Sequence, residues 1–73
     1  MPFSSLNDPA DIARAHAALE AVWRDVRETI PGPWHEAERT KIAYIVAGLV
    51  PFALDEEDLK QNALSHYRRS EAL

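Results

Sequence analysis

Along the first third of the chain, apolar residues recur every three or four positions. This spacing places them along one side of a helix and does not fit a strand. Asp8 stands before the run as a candidate N-cap, and Pro9 suits the first helical position. Pro31 disfavours helical geometry in the residue before it. The pattern therefore predicts a first helix over about residues 9–29.

The middle of the chain contains an uncharged run, IAYIVAGLV, at residues 42–50. On a helix this run is apolar nearly all the way round, which is typical of a central element contacted on more than one side. Two rows of aliphatic side chains point in two directions, and Tyr44 and Gly48 point in a third. Gly48 indicates either a close backbone approach or a frayed helix end. Pro51 ends the pattern, which predicts a second helix over about residues 34–50.

The stretch LDEEDL marks the start of a third helix, predicted over about residues 56–70. Asp55 is the expected N-cap, and Asp58 follows three residues later as in a capping box. Leu54 and Leu59 have the spacing of a hydrophobic staple across this start. The inner face of the helix is predicted to carry Leu59, Ala63, His66 and Tyr67, with Leu64 at its edge.

Short linkers join the three predicted helices, so consecutive helices are expected to pack as antiparallel neighbours. The sequence thus predicts an all-α fold, a three-helix bundle that forms a single helical domain over residues 1–73. Trp23 is expected to pack inside this bundle, near the second helix. No internal repeat or low-complexity segment divides the chain.

The first and third helices can cover about two of the three apolar directions of the second helix. A chain of 73 residues has a small core and often completes it by association. We therefore expect a two-fold homodimer with the second helix near the axis. The alternatives are an unidentified protein partner, or a compact monomer whose aromatic side chains lie flat over the turns. The predicted interface residues are Trp34, Tyr44, Leu49 and Phe52.

Composition restricts the other function classes. The formal net charge is −4, which opposes non-specific attraction to nucleic acid or anionic lipid. The apolar run is far shorter than the roughly 20 residues that span a bilayer, and the N-terminal segment lacks the pattern of a signal peptide. Cysteine is absent, which removes disulfides and thiolate metal sites. A cytoplasmic protein without membrane contact is expected.

Charged residues follow rules of helix stability. The acidic run at residues 55–58 lacks the alternation and the glycine of a calcium loop, and acids are favoured at a helix start by the helix dipole. Arg68 and Arg69 obey the same rule near the other end. Pairs at helical spacing are Glu20 with Arg24, Glu36 with Arg39, Glu38 with Lys41, and Glu56 with Lys60.

Three histidines offer the only candidates for metal binding or for a small enzyme: His16, His35 and His66. None has a second histidine at the spacing that zinc or di-iron helices use. No serine stands in a strand–turn–helix elbow, and no glycine-rich phosphate loop is present. We therefore predict structural roles for the histidines, no cofactor and no catalytic activity.

A helix-turn-helix unit is the alternative function that fits the size of the chain. The second and third helices would form it, with Lys60, Arg68 and Arg69 facing DNA. The third helix, however, opens with four acidic residues at the end that would meet the base edges. Phosphate repulsion at that end argues against nucleic acid as a partner.

Residues 38–63 carry the pattern Glu38-Arg39, Ile42-Ala43 and Ile45, followed by Asp55, Leu59 and Ala63. This pattern resembles a loose group of short, all-helical bacterial proteins of unknown function, over roughly the C-terminal two-thirds of the chain. A glycine expected before the acidic cap is replaced by Phe52-Ala53-Leu54. The resemblance implies a helical fold and transfers no catalytic residue.

Overall fold

The computed structural model describes residues 8–72, with side chains described through residue 70. Three helices pack against one another: α1 (Pro9–Val26), α2 (His35–Leu49) and α3 (Glu56–Ala72). Within the described range there is no strand. The predicted all-α three-helix bundle is confirmed, and α3 continues two residues beyond its predicted end.

Polar caps fix the starts of α1 and α3. The Asp8 carboxylate accepts a hydrogen bond from the backbone N–H of Ala10 at 2.9 Å, and Pro9 takes the first helical position. The Asp55 carboxylate accepts one from the backbone N–H of Asp58 at 2.8 Å. In both cases the cap satisfies a backbone donor that has no partner inside the helix. Both predicted caps are confirmed.

The segment before α3 differs from the predicted hydrophobic staple. Leu59 is buried in the core, but Leu54 is 87% exposed, so the two side chains do not close over the helix start. A polar link holds this entry instead, because the backbone N–H of Leu54 donates to the Asp58 carboxylate at 3.0 Å. The predicted staple is therefore wrong, and the acidic pair Asp55 and Asp58 fixes the chain on both sides of the cap.

Tight turns, not abrupt breaks, surround the prolines. The chain forms 3-10 turns over Arg27–Thr29, Gly32–Trp34 and Val50–Phe52. Pro51 lies inside the last of these turns, at a position where its missing N–H costs no hydrogen bond. The α-helical part of α2 therefore ends at Leu49, and helical structure continues past the predicted stop.

The core lies along the shared axis of the three helices. Its centre is formed by side chains with under 2% exposure, contributed by every helix. No buried side-chain nitrogen or oxygen among the described residues lacks a hydrogen-bond partner. The largest of the central side chains are Val22, Ile42, Val46 and Leu59. The complete buried set adds Ala15, Ala18, Leu19, Val26, Ala43, Val50, Ala63, Leu64 and Tyr67.

The inner face of α3 is rotated relative to the prediction. Leu64 is 7% exposed and belongs to the core, whereas His66 is exposed to solvent. Leu59, Ala63 and Tyr67 are buried as predicted. A helix face that includes position 64 leaves position 66 outside, because the two positions lie about 160° apart around the helix.

Candidate interaction surface

The apolar run on α2 is covered largely by the chain itself. Ile42, Ala43, Val46 and Val50 are buried, and the neighbouring aliphatic residues of the run are partly buried against the same core. Two of the three predicted directions are therefore closed by α1 and α3, as predicted. Because these rows are already enclosed within one chain, the core is filled without a second chain.

The third direction of α2 remains open. We call it the α2 outer face; its side chains are all exposed, and Tyr44 is 62% exposed. Positions four residues apart advance only about 40° around a helix, so they form one continuous ridge. The α2 outer face comprises Glu36, Ala37, Thr40, Lys41, Tyr44 and Gly48.

Three of the four predicted interface residues are exposed. Trp34 is 60% exposed at the start of α2, Tyr44 lies on the α2 outer face, and Phe52 is 80% exposed after its end. Leu49 differs, because it is partly buried and packs against the core. Leu54, the most exposed large apolar residue described, was missed because its position before a helix cap suggested an internal role.

Gly48 occupies an open position. A Cβ atom at this glycine would meet no atom within 4 Å, and its backbone lies inside α2. No other part of the same chain approaches this glycine closely, so the predicted close approach is not made within one chain. Gly48 is the penultimate residue of α2, and the alternative of a frayed helix end stays a prediction. Gly48 leaves a gap in the ridge, one turn beyond Tyr44.

Two of the ion pairs connect different helices, whereas the sequence predicted pairs within helices. Arg39 of α2 pairs with Glu20 of α1, and Lys60 of α3 lies 3.4 Å from the carboxylate of Asp25 in α1. These contacts replace the intrahelical pairs predicted for the same residues. The pair of Lys41 with Glu38 is confirmed at 3.2 Å.

The Glu20 carboxyl has a pKa below its ordinary value. A hydrogen bond from Arg39 is the main cause, and it lowers the pKa of Glu20. Partial burial acts in the opposite sense, while the positive charges of Arg39, Arg24 and His16 lower the pKa further. The predicted partner Arg24 therefore acts on Glu20 only as a nearby charge, and Arg39 forms the contact.

The three histidines lie in different environments. The His35 Nε2 atom lies 2.7 Å from the carbonyl oxygen of Ile30, and its ring packs edge-on against Trp23 with 5.1 Å between centroids. His35 thereby ties the start of α2 to the end of α1, and Trp23 packs near α2 as predicted. His16 and His66 are exposed. Among the described residues, no group of three histidine or acidic side chains is placed to hold a metal ion.

The basic residues suggested for DNA are spread along α3, and Lys60 lies beside the acidic residues at the start of the helix. Lys60 is held against Asp25, and its side chain is only 26% exposed. The exposed Glu56 and Glu57 occupy the first turn of α3, whereas Arg68 lies near its other end. A recognition helix would present its acidic end to the base edges, where phosphate repels it.

Neither membrane-span criteria nor similarity to known proteins indicates a function for this chain. None of the helices over residues 8–72 has the length and apolar content that a bilayer crossing requires. No protein-family profile, curated protein or solved structure matches the chain. The resemblance to short helical bacterial proteins stays a prediction.

Proposed function

We propose that this chain is a helical interaction module that associates with a second copy of itself. The observation that carries the proposal is the exposure of large apolar side chains beside a filled core. Trp34, Tyr44 and Phe52 remain 60–80% exposed although the bundle buries its aliphatic residues well. Exposed aromatic residues are enriched where proteins meet, because they offer a large contact area at a small entropic cost.

The size of the chain supports self-association. It exposes 4869 Å² of surface, and a standard interface takes about 800 Å² per partner, about a sixth of that area. The core of so short a chain supplies only a few kcal/mol of stability, so burial of further apolar surface stabilises the folded state appreciably.

Charge favours a protein partner over the other classes. The chain carries a formal net charge of −4, which repels phosphate-rich surfaces. The exposed aromatic side chains flank or lie on α2, whereas Leu54 precedes α3 and the outward side of α3 is polar. Association through the α2 side hides the apolar residues and leaves the charged helix faces in water.

Light scattering at tens of micromolar tests the proposal. We expect a mass of twice 8.2 kDa for the natural chain and 8.2 kDa for Tyr44→Glu, with unchanged helical circular dichroism. Loss of a central aromatic contact costs about 2 kcal/mol or more, roughly a thirty-fold weaker association. Ser65→Glu, on the exposed side of α3, is the matched control and should remain a dimer.

A monomer mass for the natural chain over this concentration range would contradict self-association. A dimer that survives Tyr44→Glu unchanged would place the contact on another surface of the molecule.

A further inference from the structure

The α2 outer face contains both a projection and a depression. Tyr44 projects from it, 62% exposed. A shallow depression lies toward the start of the same helix, lined by Pro33, Glu36, Ala37 and Thr40. From Ala37 to Tyr44 is about two helical turns, or roughly 10 Å along the axis.

A two-fold axis makes this face complementary to itself. In a symmetric dimer the same patch serves both copies, so a contact between residue i and residue j occurs twice. If the axis passes midway between Ala37 and Tyr44, beside Thr40, each Tyr44 ring enters the depression on the other copy. The two α2 helices then run in opposite directions across the contact.

Small side chains permit the close approach that this arrangement needs. Ala37 and Thr40 line the depression, and Gly48 leaves a gap one turn beyond Tyr44. In the antiparallel arrangement that gap faces the exposed Trp34 of the second copy. Helices that cross at about +20° stay in contact over several turns, with helix axes 8–10 Å apart.

Charge is complementary in the same arrangement. Glu36 and the exposed Lys41, which also contacts Glu38 of its own chain at 3.2 Å, would come within side-chain reach of each other across the contact, and symmetry would repeat this pair. The Tyr44 hydroxyl would also approach the Glu36 carboxylate and donate a hydrogen bond to it. The pair of Glu36 with Lys41 brings opposite charges together although each chain is negative overall.

We infer that the occupant of the α2 outer face is a second copy of this chain, with each Tyr44 seated against Ala37 and Thr40 of its twin. This inference rests on the proposed self-association and specifies its geometry. Phe52 and Leu54 lie beyond the end of α2 and are not needed for the contact.

Single cysteines test the geometry without interference, since the chain contains none. Thr40→Cys places a thiol beside its symmetry mate, and Lys41→Cys does the same should the first variant fold poorly. Ser65→Cys on exposed α3 is the control. The full chain is oxidised at tens of micromolar, and covalent dimer is followed by non-reducing electrophoresis.

The expected result is cross-linking of Thr40→Cys about a hundred-fold faster than of Ser65→Cys, since a preformed contact raises the effective thiol concentration to about millimolar. A dimer by light scattering whose axis variants cross-link no faster than Ser65→Cys would overturn this geometry and leave self-association intact. A monomer by light scattering would overturn both.

Discussion

The hydroxyl group of Tyr67 in α3 lies 3.3 Å from the carboxylate oxygen of Glu38 in α2 that also contacts the Lys41 ammonium group. Tyr67 is 5% exposed, so its ring belongs to the core while its polar end reaches the edge of the bundle. Burial of the ring and satisfaction of the hydroxyl therefore contribute separately to the packing of α3 on α2.

Tyr67→Phe separates these contributions. The bond is long for an O–H donor, so its loss should lower the free energy of unfolding by about 0.5–1.5 kcal/mol. Tyr67→Ala also removes the ring and should cost about 3–5 kcal/mol. Urea denaturation followed by circular dichroism measures both. Equal losses for the two variants would show that the hydroxyl, not the ring, dominates.

The start of α3 offers a test of capping against stapling. Asp55→Ala should lower the free energy of unfolding by about 1 kcal/mol, because the backbone N–H of Asp58 loses its acceptor. Leu54→Ala is the matched control one residue earlier; with Leu54 exposed, its effect should stay within about 0.5 kcal/mol. Urea denaturation of both variants measures the two losses of unfolding free energy. A larger loss for Leu54→Ala than for Asp55→Ala would support the hydrophobic staple.

Local signals in the sequence predicted the helices well. Asp8 and Asp55 act on backbone groups two or three residues away, so their roles as caps follow from the sequence alone. Leu54 and the inner face of α3 were harder to predict. The direction in which the chain enters a helix, and the phase of a sparse apolar face, depend on tertiary packing.

Ion-pair partners on another helix could not be predicted from spacing along the sequence. Arg39 and Lys60 both have acidic residues at helical spacing, yet both reach α1 because the bundle brings Glu20 and Asp25 closer. The exposure of Tyr44 was predictable, since its position falls outside both aliphatic rows of α2. Leu49 is the exception, because the α2 row that contains it packs against the core.

The Glu20–Arg39 pair should make stability depend on pH. Arg39 lowers the pKa of Glu20 in the folded state, so the pair stabilises the fold at pH values above the unfolded pKa, about 4.3. This contribution is lost as the pH falls through the folded pKa. Because both side chains are largely exposed, its full size at neutral pH is about 0.2–1 kcal/mol.

Glu20→Gln measures this contribution. The difference in unfolding free energy between the natural chain and the variant should be constant near neutral pH and should shrink below about pH 5. Glu28→Gln, at an exposed position in the turn after α1, removes a carboxylate outside this pair and is the control for the change in net charge. A difference that grows toward acid pH would contradict the sign of the shift at Glu20.

Gly48 provides a prediction of increased stability. Glycine inside a helix costs about 0.5–1 kcal/mol relative to alanine, and a Cβ at this position meets nothing within 4 Å. Gly48→Ala should therefore raise the free energy of unfolding by about that amount. The comparison is made in the Tyr44→Glu background, where self-association does not contribute, and it is followed by thermal and urea denaturation.

Gly32→Ala is the matched comparison for this prediction. Gly32 is also open, but it begins a 3-10 turn and does not lie in a helix interior, so its gain should be smaller. A loss of stability in Gly48→Ala would mean that α2 is more crowded at this position than the fold indicates. Gly48→Ala could also raise the stability in the Tyr44→Glu background but not in the natural chain. This result would show that a second copy occupies the space beside Gly48 in the natural chain, because no atom of the same chain lies there.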